Sequence, residues 1–337
     1  MIGVFDGSST VKRLFLLYWV CCLVLTHIDV FASNVQSNTD VHAQASNDFP
    51  LTKNILYLDI AYAGTRLVCV GERGLIVYSD DTGNQWRRAS VPAEVLLTAV
   101  FFIDVNTGWA VGHEGIVLRT DDGALTWQVQ KKPANEQEPL FDVWFQDRRR
   151  GIVVGAYGTY ETTQDGGKHW KSSALLPDDY HLYAITDAGM GVWFIAGEYG
   201  TLLRSLDYGK NWKIIETPVQ SSFFGLLALS HNNLLLYGLR GTVLQSLNKG
   251  NSWKRPATPV QVLLQGGTRL SEKQAVIVGT GGTVIITTDA GNTFHQVHDK
   301  EIEAKAISQV IAVSGDQAIV VGAFGIRRIS LSNAFNE

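Results

Sequence analysis

The chain predicts an all-β protein assembled from seven similar small sheets, and three observations carry that prediction. First, a block of about 17 residues recurs every 41 to 43 residues. It opens Val-Gly-x-x-Gly and closes Ser/Thr-x-Asp-x-Gly-x-x-Trp, as in VGERGLIVYSDDTGNQW and VGHEGIVLRTDDGALTW. Second, an apolar stretch such as ILYLDIAY or LLTAVFFI precedes each block. Third, a proline follows the closing aromatic after six or seven residues, at Pro92, Pro133, Pro177, Pro218 and Pro259. Self-similarity at this period marks a β-propeller, with one four-stranded antiparallel blade per repeat. The opening glycines are Gly71, Gly112, Gly155, Gly197, Gly238, Gly279 and Gly322, so the ring has seven blades.

The N-terminal residues read as something other than blade. Lys12 and Arg13 precede the apolar run from Leu14 to Leu25, which is short for a membrane span. Val30-Phe31-Ala32 places small residues before Ser33, so residues 1–32 read as a secretory signal peptide cleaved after Ala32. An uncleaved anchor is the alternative. Tyr18-Trp19-Val20 ahead of Cys21 lacks the small residues of a lipobox. Cys21 and Cys22 leave with the leader, and Cys69 then stands alone between Val68 and Val70 as a small core hydrophobe. Residues 33–43 are polar and read as a flexible lead-in. The propeller is assigned to residues 44–332.

Within a repeat, the apolar stretch forms the first strand and a second strand ends at the first glycine of GxxG. A hairpin leads to the third strand, and the outer strand starts at the closing aromatic. Proline cannot donate to a ladder, so it ends the outer strand and turns the chain toward the next blade. The seventh copy, VGAFGIRRIS, stops after its third strand. Its outer strand is therefore expected from residues 44–49, which would close the ring and cover an open sheet edge.

The closing element carries Asp81, Asp122, Asp165, Asp207, Asn248 and Asp289. An Asp or Asn side chain accepts backbone N–H groups two or three residues on and folds a tight turn. Gly83, Gly167, Gly209, Gly250 and Gly291 suit positive φ there, with Ala124 in the second copy. Trp86, Trp127, Trp170, Trp212, Trp253 and Phe294 then pack between blades. Six equivalent turns around a ring cannot converge on one substrate, so these carboxylates read as structural.

These elements resemble the Asp-boxes of BNR-type propellers, and the match covers nearly the whole mature chain. The form VGxxGxxLxTxDxGxxW is most similar to the photosystem II assembly and stability factors and their bacterial relatives. That resemblance implies a non-catalytic, exported factor that binds a membrane-protein subunit or envelope complex. It implies a thylakoid-lumen location in a photosynthetic organism and a periplasmic one otherwise. It also implies a basic client-binding patch. The matching feature here is Arg148-Arg149-Arg150, in the first turn of the third blade. Arg87-Arg88 and Arg327-Arg328 lie in other blades and do not extend it.

The GxxG turn residues form a second candidate partner surface, including Arg73, His113, Tyr157, Tyr199, Arg240 and Phe324. This mix of Arg, aromatic and His residues is rich in types that dominate interfaces. Asp59, Asp142, Gln265 and Gln309 are expected at one shared place in their inner strands, lining the central channel, where other copies hold Ala99, Ala184 and Gly225.

The net charge of −4 argues against a nucleic-acid partner. No carboxylate pair stands out from the Asp-box set for glycoside hydrolysis. His295 and His298 have no third ligand nearby in sequence, so no metal and no cofactor is expected. The GxxG elements join strand to strand, so they are not phosphate loops, and no small-molecule substrate is expected. The competing reading is a carbohydrate-active or glycan-binding propeller.

Overall fold

The computed structural model describes residues 51–131 and 138–332. The expected leader, lead-in and closing strand 44–49 lie outside the described residues. Seven antiparallel sheets follow one another along the chain, each in simple up-and-down order. Blade 1 is typical, with strands Tyr57–Ala63, Arg66–Gly71, Ile76–Ser79 and Arg87–Arg88. The inner strands of blades 2 to 7 are Leu97–Phe102, Leu140–Phe145, Leu182–Asp187, Phe223–Ala228, Leu264–Arg269 and Ile307–Ser314. Each touches its two neighbours, and Tyr57–Ala63 touches Ile307–Ser314, so the ring is closed.

The second strands are apolar on both faces because each lies between two other blades. Gly108–Gly112, Gly151–Gly155, Trp193–Gly197, Leu234–Gly238 and Ala275–Gly279 are buried at every residue. A strand covered on both sides has no solvent face to mark with polar residues, so alternation disappears. The core is accordingly seven apolar clusters, one at each blade interface. Each fully buried Leu, Ile or Phe there contributes about 1.5–3 kcal/mol. Trp109 of blade 2 stacks on Phe145 of blade 3, with ring centroids 3.5 Å apart and planes 6° apart. The closing aromatics join these interfaces as expected: Trp127 is 3% exposed between blades 1 and 2, and Trp253 packs on Phe194 of blade 4.

The Asp turns form, but their side chains accept N–H groups three or four residues on rather than two or three. Asp81 Oδ1 accepts the Ser79 hydroxyl at 2.8 Å and the Asn84 and Gln85 N–H groups at 3.0 and 2.8 Å. Ser79 Oγ accepts the Gly83 N–H at 2.8 Å. Ala124 takes φ 74° where the other copies have glycine. In the fourth turn the Asn211 side-chain amide and N–H hold Asp207 down at about 2.

These turns also receive the neighbouring blade. Arg119 of blade 2 donates to Gly166 O at 3.4 Å, and Arg204 of blade 4 to Lys249 O at 2.8 Å. Gln245 of blade 5 donates to Ala290 O at 2.5 Å. Arg328 of blade 7 donates to Thr82 O of blade 1 at 2.6 Å, so it bridges first and last blades. The N-terminal side meets blade 7 as well. Ile326 N donates to Thr52 O at 3.0 Å and Asn54 N to Phe324 O at 3.1 Å.

Two blades depart from four full strands among the described residues. Blade 5 has three, and an isolated bridge between Gln245 and Lys254 stands for its outer strand. Blade 7 has three, ending at Gly325–Ser330. Its hairpin is also one residue shorter than the others, since Gly322 pairs directly with Gly325.

Candidate functional site

Every inner strand carries a register shift at its second position, between Tyr57 and Asp59 in blade 1 and likewise around the ring. A bulge adds one unpaired residue and re-aims its side chain. The bulged residues are Leu58, Thr98, Phe141, Tyr183, Phe224, Gln265 and Ser308, and all seven line one channel of about 230 Å³. The next residues in register are Asp59, Ala99, Asp142, Ala184, Gly225, Gly266 and Gln309. This corrects the expected equivalence of Gln265 with Asp59, Asp142 and Gln309. Gly266 holds that place, and Gln265 sits on the bulge one residue earlier. It still lines the channel.

The polar channel residues join blades. Inner-strand N–H groups on the channel side have no further strand to pair with, so buried side chains supply acceptors. Asp59 accepts Ile60 N–H at 2.8 Å and Val100 N–H of blade 2 at 2.9 Å. Asp142 accepts Val143 N–H at 2.8 Å and Ile185 N–H of blade 4 at 2.9 Å. Gln309 Oε1 accepts Gly267 N–H of blade 6 at 2.8 Å, and Gln265 donates to Ile307 O at 2.8 Å. Thr98 and Thr186 donate to Leu140 O and Leu226 O of the following blades at 2.7 and 3.1 Å. Burial pushes Asp59 up to about 6 and Asp142 up to about 7, with the Asp59 charge adding to the latter. Protein surrounds both carboxyls, and the lumen leaves each a minor access to water. Tyr237 reaches the same lumen over Gly225, where a Cβ would meet its hydroxyl at 2.1 Å.

The GxxG turns ring one end of this channel. Each first glycine packs against the residue that leads into its own blade's inner strand, as Glu72 N donates to Leu56 O at 2.9 Å and Glu198 N to His181 O at 2.9 Å. Six of the turns are 3₁₀, and their central residue is left-handed: Arg73, Glu114, Tyr157, Tyr199, Arg240 and Gly281 have φ of 50 to 70°. Arg73, Tyr157, Tyr199 and Arg240 are exposed, and His113 is half-buried. Phe324 differs. The shortened hairpin turns it inward, and it is 8% exposed within the cluster between blades 6 and 7.

Arg148, Arg149 and Arg150 lie at the opposite end of the blade, one five-residue strand from the GxxG turn, or about 17 Å. They belong to the Asp-turn face, since Gly166 N donates to Arg149 O at 2.8 Å. Two are ion-paired: Arg148 with Asp104 at 2.8 Å and Arg150 with Asp147 at 2.7 Å. Arg149 donates to Gln164 O at 3.3 Å. The two candidate surfaces are therefore separate, and the arginine run carries its own counter-charges.

Sequence reading missed a further group at the channel mouth. Phe141, Tyr183 and Phe224 are bulge residues of three successive blades, with Tyr183 and Phe224 stacked at 4.5 Å and Phe141 5.5 Å from Tyr183. His181 lies against Tyr157, Phe141 and Tyr183 at 5.0, 5.9 and 6.0 Å. Tyr180 and Tyr199 continue outward, 5.4 Å apart. Three consecutive aromatic residues at one repeat position were a readable signal, but without the bulge their direction was not.

Comparison with known proteins adds to this geometry. The model of the family described as "Photosynthesis system II assembly factor YCF48" matches residues 123–262. This seven-bladed propeller is similar, over part of its length, to the photosystem II assembly factors. Over 85 residues it is 31% identical to "Photosystem II assembly protein Ycf48" of Synechococcus sp. (strain JA-3-3Ab), covering 24% of this chain and 25% of that one. Over 111 residues it is 28% identical to "Photosystem II stability/assembly factor HCF136, chloroplastic" of Arabidopsis thaliana, covering 30% of this chain and 28% of that one. The chain thus spans about a quarter of the length of the curated relatives it matches. The solved structure "YCF48 bound to D1 peptide" superposes with a TM-score of 0.65 at 16% identity, over 83% of this chain and 94% of that chain. At that identity the superposition speaks for the fold. The family match spans the blades that hold Phe141, Tyr157, His181, Tyr183, Tyr199 and Phe224. Among the described residues no helix is long and apolar enough to cross a membrane, and no three His, Cys, Asp or Glu side chains could hold a metal ion together.

Proposed function

We propose that this propeller is an exported, non-catalytic assembly factor that holds a segment of a membrane-protein subunit while its complex is built. The observation that carries the reading is the family match over blades that also form the aromatic channel mouth. A relative of the same fold has been solved with a bound peptide, which supports a peptide-holding role for such a scaffold. The non-catalytic part is supported by the channel chemistry. Both oxygens of Asp59 and of Asp142 are occupied: one accepts the next residue's N–H in its own strand, and the other an N–H of the following blade's inner strand. General acid–base work needs a carboxyl free to meet the reacting group. The exported part is supported by the leader-like residues 1–32.

Crosslinked affinity capture of the tagged protein from native membranes tests the reading, with mass spectrometry of what is retained. Enrichment of one membrane-protein subunit is expected. Capture of nothing above background would remove the assembly-factor reading, and a hit on a glycan array would replace it. N-terminal sequencing of the mature protein checks the leader, with Ser33 expected first.

A further inference from the structure

The channel mouth differs sharply around the ring. On blades 3 and 4 the exposed turn residues are Tyr157 and Tyr199, at 39% and 67% exposure. The equivalent positions of blades 1 and 5 carry Arg73 and Arg240. The segment entering blade 4 adds Asp178, Asp179 and Tyr180, and its backbone runs over the turn at Gly158. Asp178 and Asp179 are exposed, and neither has an ion-pair partner among the described residues. Glu198 accepts the His181 N–H at 3.1 Å, and its carboxylate lies 3.9 Å from His181 Nδ1. Inside the mouth are the faces and edges of Phe141, Tyr183 and Phe224, and Asp142 is one residue below Phe141.

A second observation points to a ligand. His181 is 4% exposed, and its Nδ1 accepts the Tyr157 N–H at 2.9 Å. In the neutral ring the proton is then on Nε2, which is a donor. That Nε2 is buried against the aromatic rings and has no hydrogen-bond partner among the described residues. A buried donor left unpaired costs about 1–3 kcal/mol, so such groups are rarely kept without use.

We propose that the channel mouth at blades 3 and 4, with Phe224 of blade 5, binds an extended partner segment bearing lysine or arginine. Its cation lies between the aromatic rings and the carboxylates of Asp178, Asp179 and Glu198. Aromatic faces attract a guanidinium or ammonium through their quadrupole, and desolvation beside the rings strengthens the attraction. The flanking carboxylates supply full charge complementarity and steer the approach. The His181 Nε2–H donates to a backbone carbonyl of the segment when Tyr157 rotates aside. The proposal rests on the assembly-factor reading only for the origin of that segment, a membrane-protein client.

The test uses fluorescence anisotropy of the full chain with two labelled Gly/Ser dodecapeptides, one carrying three arginines and the other three glutamates. The arginine peptide is expected to bind and the glutamate peptide not. Tyr199→Ala and Asp179→Lys should each weaken binding by about tenfold, since each removes one cation contact. Both residues are exposed, so both variants keep the fold. Glu272→Lys, an equal charge reversal on the opposite face, should change binding less than about twofold at physiological salt. Failure of the arginine peptide to bind overturns the proposal. So does equal binding by the Tyr199 and Asp179 variants, or an equal loss in Glu272→Lys. Complete displacement by millimolar tetramethylammonium would mean a small-cation site and overturn the peptide assignment. Client capture separates the two readings. A client retained equally by Tyr199→Ala removes the mouth and leaves the assembly role. Peptide binding with no client captured leaves the mouth and removes the role.

Discussion

The turn of blade 6 holds Gly279, Gly281 and Gly282, and substituting the first two one at a time separates close approach from backbone conformation. Gly279 has φ −168°, which any residue adopts. A Cβ there would lie 1.9 Å from Leu263 O, the carbonyl just before the inner strand. Carbon and carbonyl oxygen approach to about 3.3 Å, so Gly279→Ala must push the inner strand away by about 1.4 Å. That movement also strains the Thr280 N–H to Leu263 O bond, now 3.0 Å. Overlap in a packed interior and the loss of one buried hydrogen bond together give about 4 kcal/mol or more. Gly281 has φ +70° and nothing within 4 Å of an added Cβ. Its equivalents are Arg73, Glu114, Tyr157, Tyr199 and Arg240, so Gly281→Ala should cost only about 1 kcal/mol of left-handed strain. Urea unfolding followed by tryptophan fluorescence reads both. Equal midpoints for the two variants would refute the close-approach argument, because then conformation and not contact would be the constraint.

Three further outcomes are expected. Asp59 and Asp142 have folded values of about 6 and 7, above the value near 3.8 of the unfolded chain. Their stabilising contribution is therefore full below pH 4 and is lost as pH rises through 6 to 7; half-buried His113 and buried His181, both pushed down by burial, act oppositely below pH 6.5. The carboxyl ¹³C shift of Asp142 should titrate above pH 6, and a midpoint near 4 would contradict the buried setting. Arg328→Ala should lower stability by about 1 kcal/mol by removing the bond to Thr82 O, whereas Arg87→Ala on the exposed outer strand should leave the urea midpoint unchanged. Cys69 is fully buried and its thiol is pushed up by burial, so with Cys21 and Cys22 replaced by serine the protein should react with a thiol reagent only at its global unfolding rate; rapid labelling in native buffer would show that blade 1 opens locally.

What was legible in the sequence is what repeats within one blade. The Asp turn is closed by residues four apart, such as Ser79 and Gly83, and its glycine answers a local backbone angle. The blade count, strand order and interblade packing of the closing aromatics follow from the period, because every blade solves the same burial problem alike. The site was less legible. The bulge that moves Gln265 out of register with Asp59 depends on strand pairing, which leaves no mark at the bulged residue itself. Phe324 reads as a surface turn residue by its place in GxxG, yet a hairpin one residue shorter turns it into the core. Arg148–Arg150 and Tyr157 are close in the chain, but one strand carries them to opposite faces.

The sequence by itself determined a seven-bladed all-β ring, its Asp turns and its family likeness, since local hydrogen bonding and periodic burial are written residue by residue. Only the tertiary structure decided which side chains meet. Tyr157, His181, Tyr183 and Phe224 come from three blades and converge because closure of the ring points every inner strand at one axis. Arg328 finds Thr82 for the same reason, 246 residues away, once the last blade is laid against the first.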